Sequence, residues 1–424
     1  MRRWPPLLSC LLLLGALVAT VLRTIRGPND WAEAHWLLDY RFGFVKRGLV
    51  GQGLTWFTGV TGVPASEALI GGLSLAICLL FCGLLLAMAC RIARDAAWSP
   101  AAVAAMVAFL TSPFLVMTGH LVGYYDHVFL PLGVLSAWLA LRGRFWAGAV
   151  VQAVALLIHE SCAVLIYPVF ALACLLHTTR HAEPGVKPPS LLPLLLPLAT
   201  AVVMALVLAS PPEAFVPSYQ SYLKTFAFVQ GGFESITPRL LALSPGEAWS
   251  LVTTKFPGML SQAERMTQPS AYGLVLPTMV ALLVGFAQRA RLAASLESVA
   301  VGVVVLAPQL LHFIAWDFER IWTYSILMAF LVVWLYSEAR LLGNSEQVGV
   351  FTASLLAVAA NLVMETPLLD LAQDQGPRWL RVCVMLGLVA ALLVYAGLQS
   401  ATPLSERLRW RGRSLADLLL RRPR

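Results

Sequence analysis

Eleven apolar segments, separated by polar stretches, recur along the chain and limit what it can fold into. They lie at about 7–25, 67–90, 101–118, 127–141, 145–177, 191–209, 272–288, 298–315, 322–339, 348–364 and 380–397. The composition agrees, because 59% of the residues are hydrophobic and only 12% are charged, whereas soluble domains carry about 25% charged residues. Such segments are typical of membrane-spanning helices. The sequence therefore predicts an all-α polytopic membrane protein in which residues 1–397 form a single transmembrane domain.

The segment from Phe145 to His177 is too long for one crossing of the bilayer. As a single helix it would extend roughly 50 Å, against a hydrocarbon core of about 30 Å. It also holds His159, Glu160 and Ser161 near its middle, where an ionisable side chain is costly. A turn at these residues would give two shorter helices. We therefore predict about twelve transmembrane helices.

The distribution of basic residues supports this turn and orients the chain. With twelve spans and both termini in the cytoplasm, the inner segments hold 18 of the 30 lysines and arginines but only 7 of the 22 acidic residues. Cytoplasmic loops are enriched in Lys and Arg. A single helix over 145–177 would instead put the arginine-rich tail outside. We expect a multi-pass protein of the bacterial inner membrane whose signal-like first helix is not cleaved.

Two long loops, at about 26–66 and 210–271, are predicted at the outer face. The first is rich in aromatic residues, as segments at a membrane interface are. Residues 398–424 form a basic tail, which we expect to be an interfacial helix on anionic headgroups. Because the charges sit in loops and in this tail, the net charge of +8 points to the lipid bilayer as a partner and not to nucleic acid.

The seven cysteines show no CxxC pairing, and we expect them to be small buried hydrophobic residues.

Polar residues gather at the predicted outer ends of the helices, although more than three hundred positions separate the first from the last. These candidates are Asp39, Arg41, Lys46 and Arg47 in the first outer loop, Tyr124, Tyr125 and Asp126 in the next turn, His159 and Glu160 at the hairpin tip, and His312, Asp317 and Arg320 around the ninth and tenth helices. Arginine and lysine suit a phosphate group. A carboxylate can take the proton from an attacking hydroxyl. Together they suit a phosphate-bearing substrate tethered to a lipid.

Each candidate also has a structural interpretation. Asp39 could be a loop carboxylate paired with Arg41 or Lys46, and Asp126 could cap the N-terminus of the next helix. The two tyrosines could belong to an aromatic belt, and the basic residues of the first loop could anchor it to headgroups. His312 could bond to a neighbouring helix, and Asp317 could form a local ion pair with Arg320. His159 and Glu160 are the hardest to explain structurally, because short hairpin arms would hold them below the outer headgroups.

The order of these elements resembles the C-type, multispanning glycosyltransferase superfamily. The matching features are a first helix followed by an outer loop of about forty residues that contains Asp39, a second acidic residue in the next outer loop, and a larger outer loop after the seventh helix. The resemblance implies that Asp39 is the catalytic base and that Asp126 helps at a metal or acceptor site. It also implies a polyprenyl-phosphate or pyrophosphate sugar donor and a glycan, lipid or protein acceptor.

A divalent cation, Mg²⁺ or Mn²⁺, would then be held by Asp39 and Asp126. The doubled acidic pair of some members is missing from the first loop unless Asp30 or Glu33 replaces it, so the cofactor stays open. The stretch from Arg41 to Leu49 is also similar to bacterial polysaccharide-assembly proteins, which include repeat-unit polymerases.

Enzymatic function is therefore one of several predictions. A repeat-unit polymerase or ligase would use the same kind of residues as a single-sugar transferase. A transporter or flippase of lipid-linked glycans or small solutes would show internal repeats and a site at mid-membrane, and the chain has no repeat of fixed period. A noncatalytic assembly subunit is indicated if the polar residues do not converge in space. We expect a glycosyltransferase with catalytic groups at Asp39, Asp126, His159 and Glu160 and the remaining candidates binding the substrate.

Overall fold

The computed structural model describes residues 4–180, 190, 192–209, 213–229, 231–254, 269–289, 295–313, 315, 317–342, 348–366 and 377–400. Over these ranges the chain forms α-helices and short 3-10 helices, with no β-strand, so the predicted all-α class is confirmed. The predicted tail was 398–424. Its first three residues end the helix Arg378–Ser400, and residues 401–424 lie outside the described residues, as do residues 255–268 of the second outer loop.

Ten α-helices precede residue 181. They are α1 (Trp4–Val21), α2 (Asp30–Trp36), α3 (Gly48–Thr61), α4 (Glu67–Asp95), α5 (Pro100–Leu110), α6 (Pro113–His120), α7 (Asp126–Leu141), α8 (Phe145–Ile158), α9 (Cys162–Leu165) and α10 (Tyr167–Arg180), with a 3-10 turn at Tyr40–Phe42.

Nine further α-helices are described after residue 190. They are α11 (Leu195–Ala209), α12 (Phe215–Leu223), α13 (Phe233–Leu241), α14 (Pro245–Thr254), α15 (Pro269–Arg289), α16 (Ser295–Leu306), α17 (Phe318–Glu338), α18 (Val348–Val363) and α19 (Arg378–Ser400), with 3-10 turns at Leu192–Leu194 and Ala307–Phe313.

Six helical segments of the described chain are long and apolar enough to cross a membrane. They are Glu67–Asp95, Pro100–His120, Cys162–Arg180, Leu296–Phe313, Glu319–Glu338 and Arg378–Ser400. Six shorter apolar helices of 10–17 residues occur at the other predicted positions. Their composition is that of a helical membrane protein. The number of crossings and the orientation remain predictions.

The predicted turn within 145–177 is present. Helix α8 ends at Ile158, and His159 adopts an extended backbone with φ −156° and ψ 128°. The chain resumes as the short helix α9 at Cys162 and continues as α10. Backbone N–H and C=O groups that lose their helical partners at such a break must form other hydrogen bonds or face a water-filled cavity. The tip between the two helices is therefore a natural place for polar side chains.

The segment Pro100–His120, which comprises α5 and α6, forms the centre of the bundle and is completely buried. Small residues in α5 allow close packing, and the rings of Phe109 and Phe330 stack with centroids 3.8 Å apart. Helix α17 is also largely buried, whereas α19 is only 17% buried and exposes Trp379 and Val394. An apolar surface of this kind is what lipid-facing helices present.

The first outer loop is more ordered than its sequence indicated, because it contains α2, a 3-10 turn and α3. Helix α3 crosses the preceding segment very closely, since a Cβ atom at Gly51 would lie 1.9 Å from the Leu38 carbonyl oxygen. Its opposite side exposes Trp56 and Val60, at 69% and 68% of their surface. An amphipathic helix of this type fits the predicted position along the membrane interface.

Candidate functional site

One cavity gathers most of the predicted polar residues. Its volume is about 210 Å³, and five separate parts of the chain contribute to its wall. The lining residues are Trp31, Ala32, His35, Lys46, Arg47, Gly123, Tyr124, Tyr125, Asp126, His159, Glu160, Ser161, Leu240, Leu241, Leu243, Ser244, Ala248, Leu311, Ala315, Asp317, Arg320, Ile321 and Tyr324. All five parts are segments predicted to lie in the outer loops or at the outer ends of helices. We call this space the charged cavity.

Arg47 is fixed at one end of the charged cavity by three contacts of its guanidinium. Nε donates to Glu160 Oε2 at 3.0 Å, Nη2 donates to Glu160 Oε1, and Nη1 donates to His35 Nε2 at 3.2 Å. Its backbone has φ 64°, the left-handed region that costs a side-chain-bearing residue about 1 kcal/mol or more. Such strain persists only where the surrounding structure holds the residue in place.

His35 was not expected from the sequence, yet it orients Arg47. Its Nδ1 donates to the Trp31 carbonyl oxygen at 2.7 Å, so the neutral ring presents Nε2 as an acceptor. Burial and the adjacent Arg47 lower the pKa of His35 to about 3, and the ring is therefore neutral at physiological pH. The only sequence signal was the spacing of Trp31 and His35, which lie one helical turn apart on α2.

His159 and Glu160 form the hairpin tip beside Arg47. The Ser161 backbone N–H donates to His159 Nδ1 at 3.2 Å, so a neutral ring carries its hydrogen on Nε2. Burial and Arg47 lower the pKa of His159 to about 3. Burial disfavours a charge on Glu160, but Arg47 outweighs it and holds the pKa of Glu160 well below its usual range. Glu160 is thus an anion and His159 a neutral hydrogen-bond donor.

Arg320 forms a second ionic group across the cavity. Its Nη2 donates to Asp317 Oδ2 at 2.5 Å and its Nη1 to Asp126 Oδ2 at 3.4 Å, while the Tyr324 hydroxyl donates to Asp126. The guanidinium also lies 5.7 Å from the centre of the Tyr124 ring. Asp126 is the first residue of α7 and makes no capping bond, so the predicted cap is wrong. Its carboxylate still benefits from the positive end of the helix dipole.

Lys46 reaches the same cavity from the first outer loop. Its Nζ lies 3.4 Å from the Leu243 carbonyl oxygen, at the edge of hydrogen-bonding distance. No described carboxylate forms an ion pair with it. Burial lowers the pKa of Lys46 to about 8, so the ammonium keeps its charge at pH 7. A cation held in this way is well suited to an incoming anion.

Asp39 and Arg41 do not line the charged cavity. Asp39 is 1% exposed, and Oδ1 accepts from the Arg41 backbone N–H at 3.0 Å and from Arg41 Nε at 2.8 Å. Its Oδ2 accepts from the Thr55 hydroxyl at 2.6 Å. The structural interpretation of Asp39 as a partner of Arg41 is therefore correct. The expectation that it is the catalytic base gains no support from this geometry, because both of its oxygens already accept hydrogen bonds and it does not line the charged cavity.

His312 also lies away from the cavity wall. Its Nε2 lies 3.0 Å from Gln309 Oε1, and its ring lies 5.8 Å from that of Trp322. The ring is buried, but Gln309 belongs to the same 3-10 turn, whereas the interpretation from the sequence placed the bond on a neighbouring helix. Of the twelve residues singled out from the sequence, nine thus share the cavity wall, and Asp39, Arg41 and His312 do not.

The sequence left the cofactor open and named Asp39 and Asp126 as the ligands if a metal binds. Of these two carboxylates only Asp126 lines the charged cavity. Among the described residues, no three His, Cys, Asp or Glu side chains cluster as ligands of one ion would. Both oxygens of Asp126 already accept hydrogen bonds. The cations that could neutralise a substrate here are the side chains of Lys46, Arg47 and Arg320.

No protein-family model, curated protein or solved structure matches the chain. The resemblance to the C-type glycosyltransferases therefore stays a prediction.

Proposed function

We propose that the protein is a membrane glycosyltransferase, which moves a sugar from a polyprenyl-phosphate or pyrophosphate donor to an acceptor at the outer face of the bacterial inner membrane. The observation that carries this proposal is the composition of the charged cavity. Three cations and three carboxylates meet there beside an apolar wall that includes Leu240, Leu243 and Leu311. The cations can bind a phosphate group, and the apolar wall can contact a lipid chain. A carboxylate can accept the proton of an attacking hydroxyl.

The location of the cavity supports an outer-face reaction. The lining residues come from segments that the predicted twelve-helix topology assigns to the outer loops or to the outer ends of spans, and none comes from a segment assigned to the cytoplasm. The cavity lies where α8 ends and where α7 and α17 begin. A transporter of lipid-linked glycans would instead need a site near mid-membrane with access from both sides.

The proposed reaction is a displacement at the anomeric carbon of the donor sugar. The acceptor hydroxyl oxygen forms a bond to that carbon, and the bond from carbon to phosphate oxygen breaks with its electron pair leaving on the phosphate. The hydroxyl proton passes to a carboxylate of the cavity, for which Asp317 is the best candidate. It is 19% exposed, and only one of its oxygens has a described hydrogen-bond partner. The products are the glycosylated acceptor and polyprenyl phosphate, or pyrophosphate.

The activity can be tested with the purified full chain in liposomes. The probe is polyprenyl-phosphate glucose with a labelled sugar, supplied with glycan and lipid fractions of a bacterial envelope as acceptors. The proposal expects a new labelled product and a matching amount of polyprenyl phosphate. Passage of the intact donor across the bilayer without bond cleavage would replace the proposal with a flippase. Neither product nor movement would also contradict it.

A further inference from the structure

The charged cavity contains two ionic groups of opposite net charge. The first, which we call the Arg47 cluster, comprises Lys46, Arg47 and Glu160, and with two cations and one anion its formal charge is +1. The second, the Arg320 cluster, comprises Arg320, Asp126 and Asp317, and its formal charge is −1. No described ion pair joins the two clusters. The cavity as a whole is neutral but has a positive and a negative end.

His159 lies between the two ends. Its ring interacts electrostatically with Arg47 and Glu160 of the first cluster and with Asp126 and Arg320 of the second. Its Nδ1 is occupied by the Ser161 backbone N–H, and no described group bonds to its Nε2. The ring therefore offers one N–H donor to whatever fills the middle of the cavity.

The bonding capacity left in each cluster differs in kind. In the Arg47 cluster the unused capacity is that of a donor, because the Lys46 ammonium has three hydrogens and one long contact. In the Arg320 cluster the accessible capacity is that of an acceptor, because Asp317 is partly exposed and one of its oxygens has no described partner. The Arg320 Nε–H also lacks a described partner, but this atom is completely buried. An anion placed at the Arg320 cluster would add a negative charge to a site that already has an excess of one. Like charges held a few ångströms apart repel each other.

We propose that this division sorts the two substrates, with the donor phosphate bound at the Arg47 cluster and the acceptor hydroxyl bound at the Arg320 cluster. The inference rests on the proposed function and deepens it. The single spare charge of the Arg47 cluster matches one phosphate negative charge, so the donor class is a phosphodiester with one phosphate. A pyrophosphate diester would leave a second negative charge without a described cation. The negative end also favours an acceptor that carries no anionic group near its hydroxyl.

The sugar then lies between the ends, within reach of the His159 Nε2–H. In this arrangement Lys46 neutralises the phosphate as it leaves, and Asp317 receives the proton of the attacking hydroxyl. Arg47 and Arg320 keep the two clusters in shape, since each guanidinium donates hydrogen bonds to the carboxylates of its own cluster. Lys46 thus binds the leaving phosphate, and Asp317 binds the attacking hydroxyl.

The test measures donor binding apart from turnover, using the full chain in lipid nanodiscs. Two probes share the same polyprenyl chain and glucose, one with a phosphate and one with a pyrophosphate, in buffer with EDTA. The variants are Lys46→Met and Asp317→Asn, with Lys46→Arg as the charge-conserving substitution. The controls are Lys224→Met and Glu213→Gln, which change exposed charges of the second outer loop outside the cavity.

We expect Lys46→Met to weaken binding of the monophosphate probe about tenfold or more, the usual effect of losing one charged hydrogen bond, and Lys46→Arg to restore it. Asp317→Asn should bind this probe as well as the wild type or better. The opposite pattern, with binding lost in Asp317→Asn and kept in Lys46→Met, overturns the division.

Equal or tighter binding of the pyrophosphate probe to the wild type overturns the single-charge donor and leaves the transferase proposal standing. If the wild type binds neither probe, both proposals fall. Thermal melting of each variant shows whether it is folded. If Lys46→Met does not fold, the ratio of probe affinities in the wild type still decides the donor class, and Asp317→Asn still decides the division.

Discussion

Two arginine–carboxylate pairs arise from the same short stretch of the first outer loop, and they differ in access. Arg41 binds Asp39, whose carboxylate is buried and bonded on both oxygens. Arg47, six positions later, binds Glu160 from another helix hairpin on the wall of the charged cavity. The first pair closes a turn within the loop. The second joins distant segments around a space that a substrate can enter.

This comparison separates a structural ion pair from a candidate site by two criteria. The first is whether the pair lines a cavity, and the second is whether any oxygen or N–H nearby still lacks a partner. Asp39 fails both criteria, although its position in the sequence made it the leading candidate for the base. Asp317 meets both, although the sequence indicated only substrate binding.

The largest expected effect is on turnover and contrasts these two carboxylates. Asp317→Asn should lower the rate of sugar transfer by about 100- to 10,000-fold, the range for loss of a general base. Asp39→Asn should keep a rate within a few-fold of the wild type. Both rates are measured with labelled donor in liposomes, at equal amounts of folded protein. Loss of sugar transfer in Asp39→Asn but not in Asp317→Asn would contradict this assignment and identify Asp39 as the base.

A smaller effect is expected on the stability of the second pair. Arg47→Met and Glu160→Gln should each destabilise the protein, because each leaves a charged or polar group without its partner. The coupling free energy from a double-mutant cycle should be about 2 kcal/mol, since the pair is largely but not completely buried. The measurement is unfolding in detergent for the two single variants and the double variant. A coupling near zero would show that the contact does not hold the loop to the hairpin.

The Asp39 pair should show a stability effect without a catalytic one. Asp39→Asn removes the charge that binds Arg41 but retains an oxygen for the Arg41 backbone N–H. We expect a loss of about 1 kcal/mol, typical of a charged hydrogen bond weakened but not removed. Thr55→Val, which deletes the hydroxyl bonded to the same carboxylate, should give a similar loss. If both variants were fully stable but inactive, the structural role of the Asp39–Arg41 pair would be contradicted.

The smallest effect concerns Glu33, a buried carboxylate of the same loop with no described cation. Burial and its acidic neighbours Glu67 and Asp30 raise the pKa of Glu33 to about 7. A carboxyl group whose pKa is higher in the folded state stabilises the fold at low pH and loses this contribution as the pH rises through the folded value. The melting temperature of the wild type should therefore fall, relative to Glu33→Gln, between about pH 4.5 and 7. Parallel melting curves at all pH values would contradict the shift.

The sequence predicted the fold class and the convergence of the site better than the roles of individual residues. Periodic apolar segments and the distribution of arginines identify helices and their ends. The break at His159 was expected from the length of one segment, from the polar residues in its middle and from the charge distribution. Glu160 was singled out because a charge inside an apolar run needs an explanation. These inferences depend on the free-energy cost of placing polar or charged residues in an apolar segment, which can be read from the sequence alone.

The parts that failed depend on local geometry. The expectation for Asp39 followed from its place in the loop, but whether its oxygens are occupied depends on how Thr55 and Arg41 fold back upon it. His35 was missed because a buried histidine on an amphipathic helix has no distinctive spacing. Its contact with Arg47 depends on the left-handed turn at that residue, and no pattern in the sequence predicts this turn.

The central claim is that the lipid-linked donor binds in the charged cavity from the outer face. Ala248 lines the cavity on α14, and Ser250 is exposed on the same helix outside it. The measurement compares labelling of Ala248→Cys and Ser250→Cys by a membrane-impermeant maleimide in right-side-out vesicles, with the exposed Cys383 replaced by serine. The account predicts that both are labelled from outside and that the polyprenyl-phosphate glucose probe protects only Ala248→Cys. Labelling from the cytoplasmic side alone, or no protection by the probe, would contradict it.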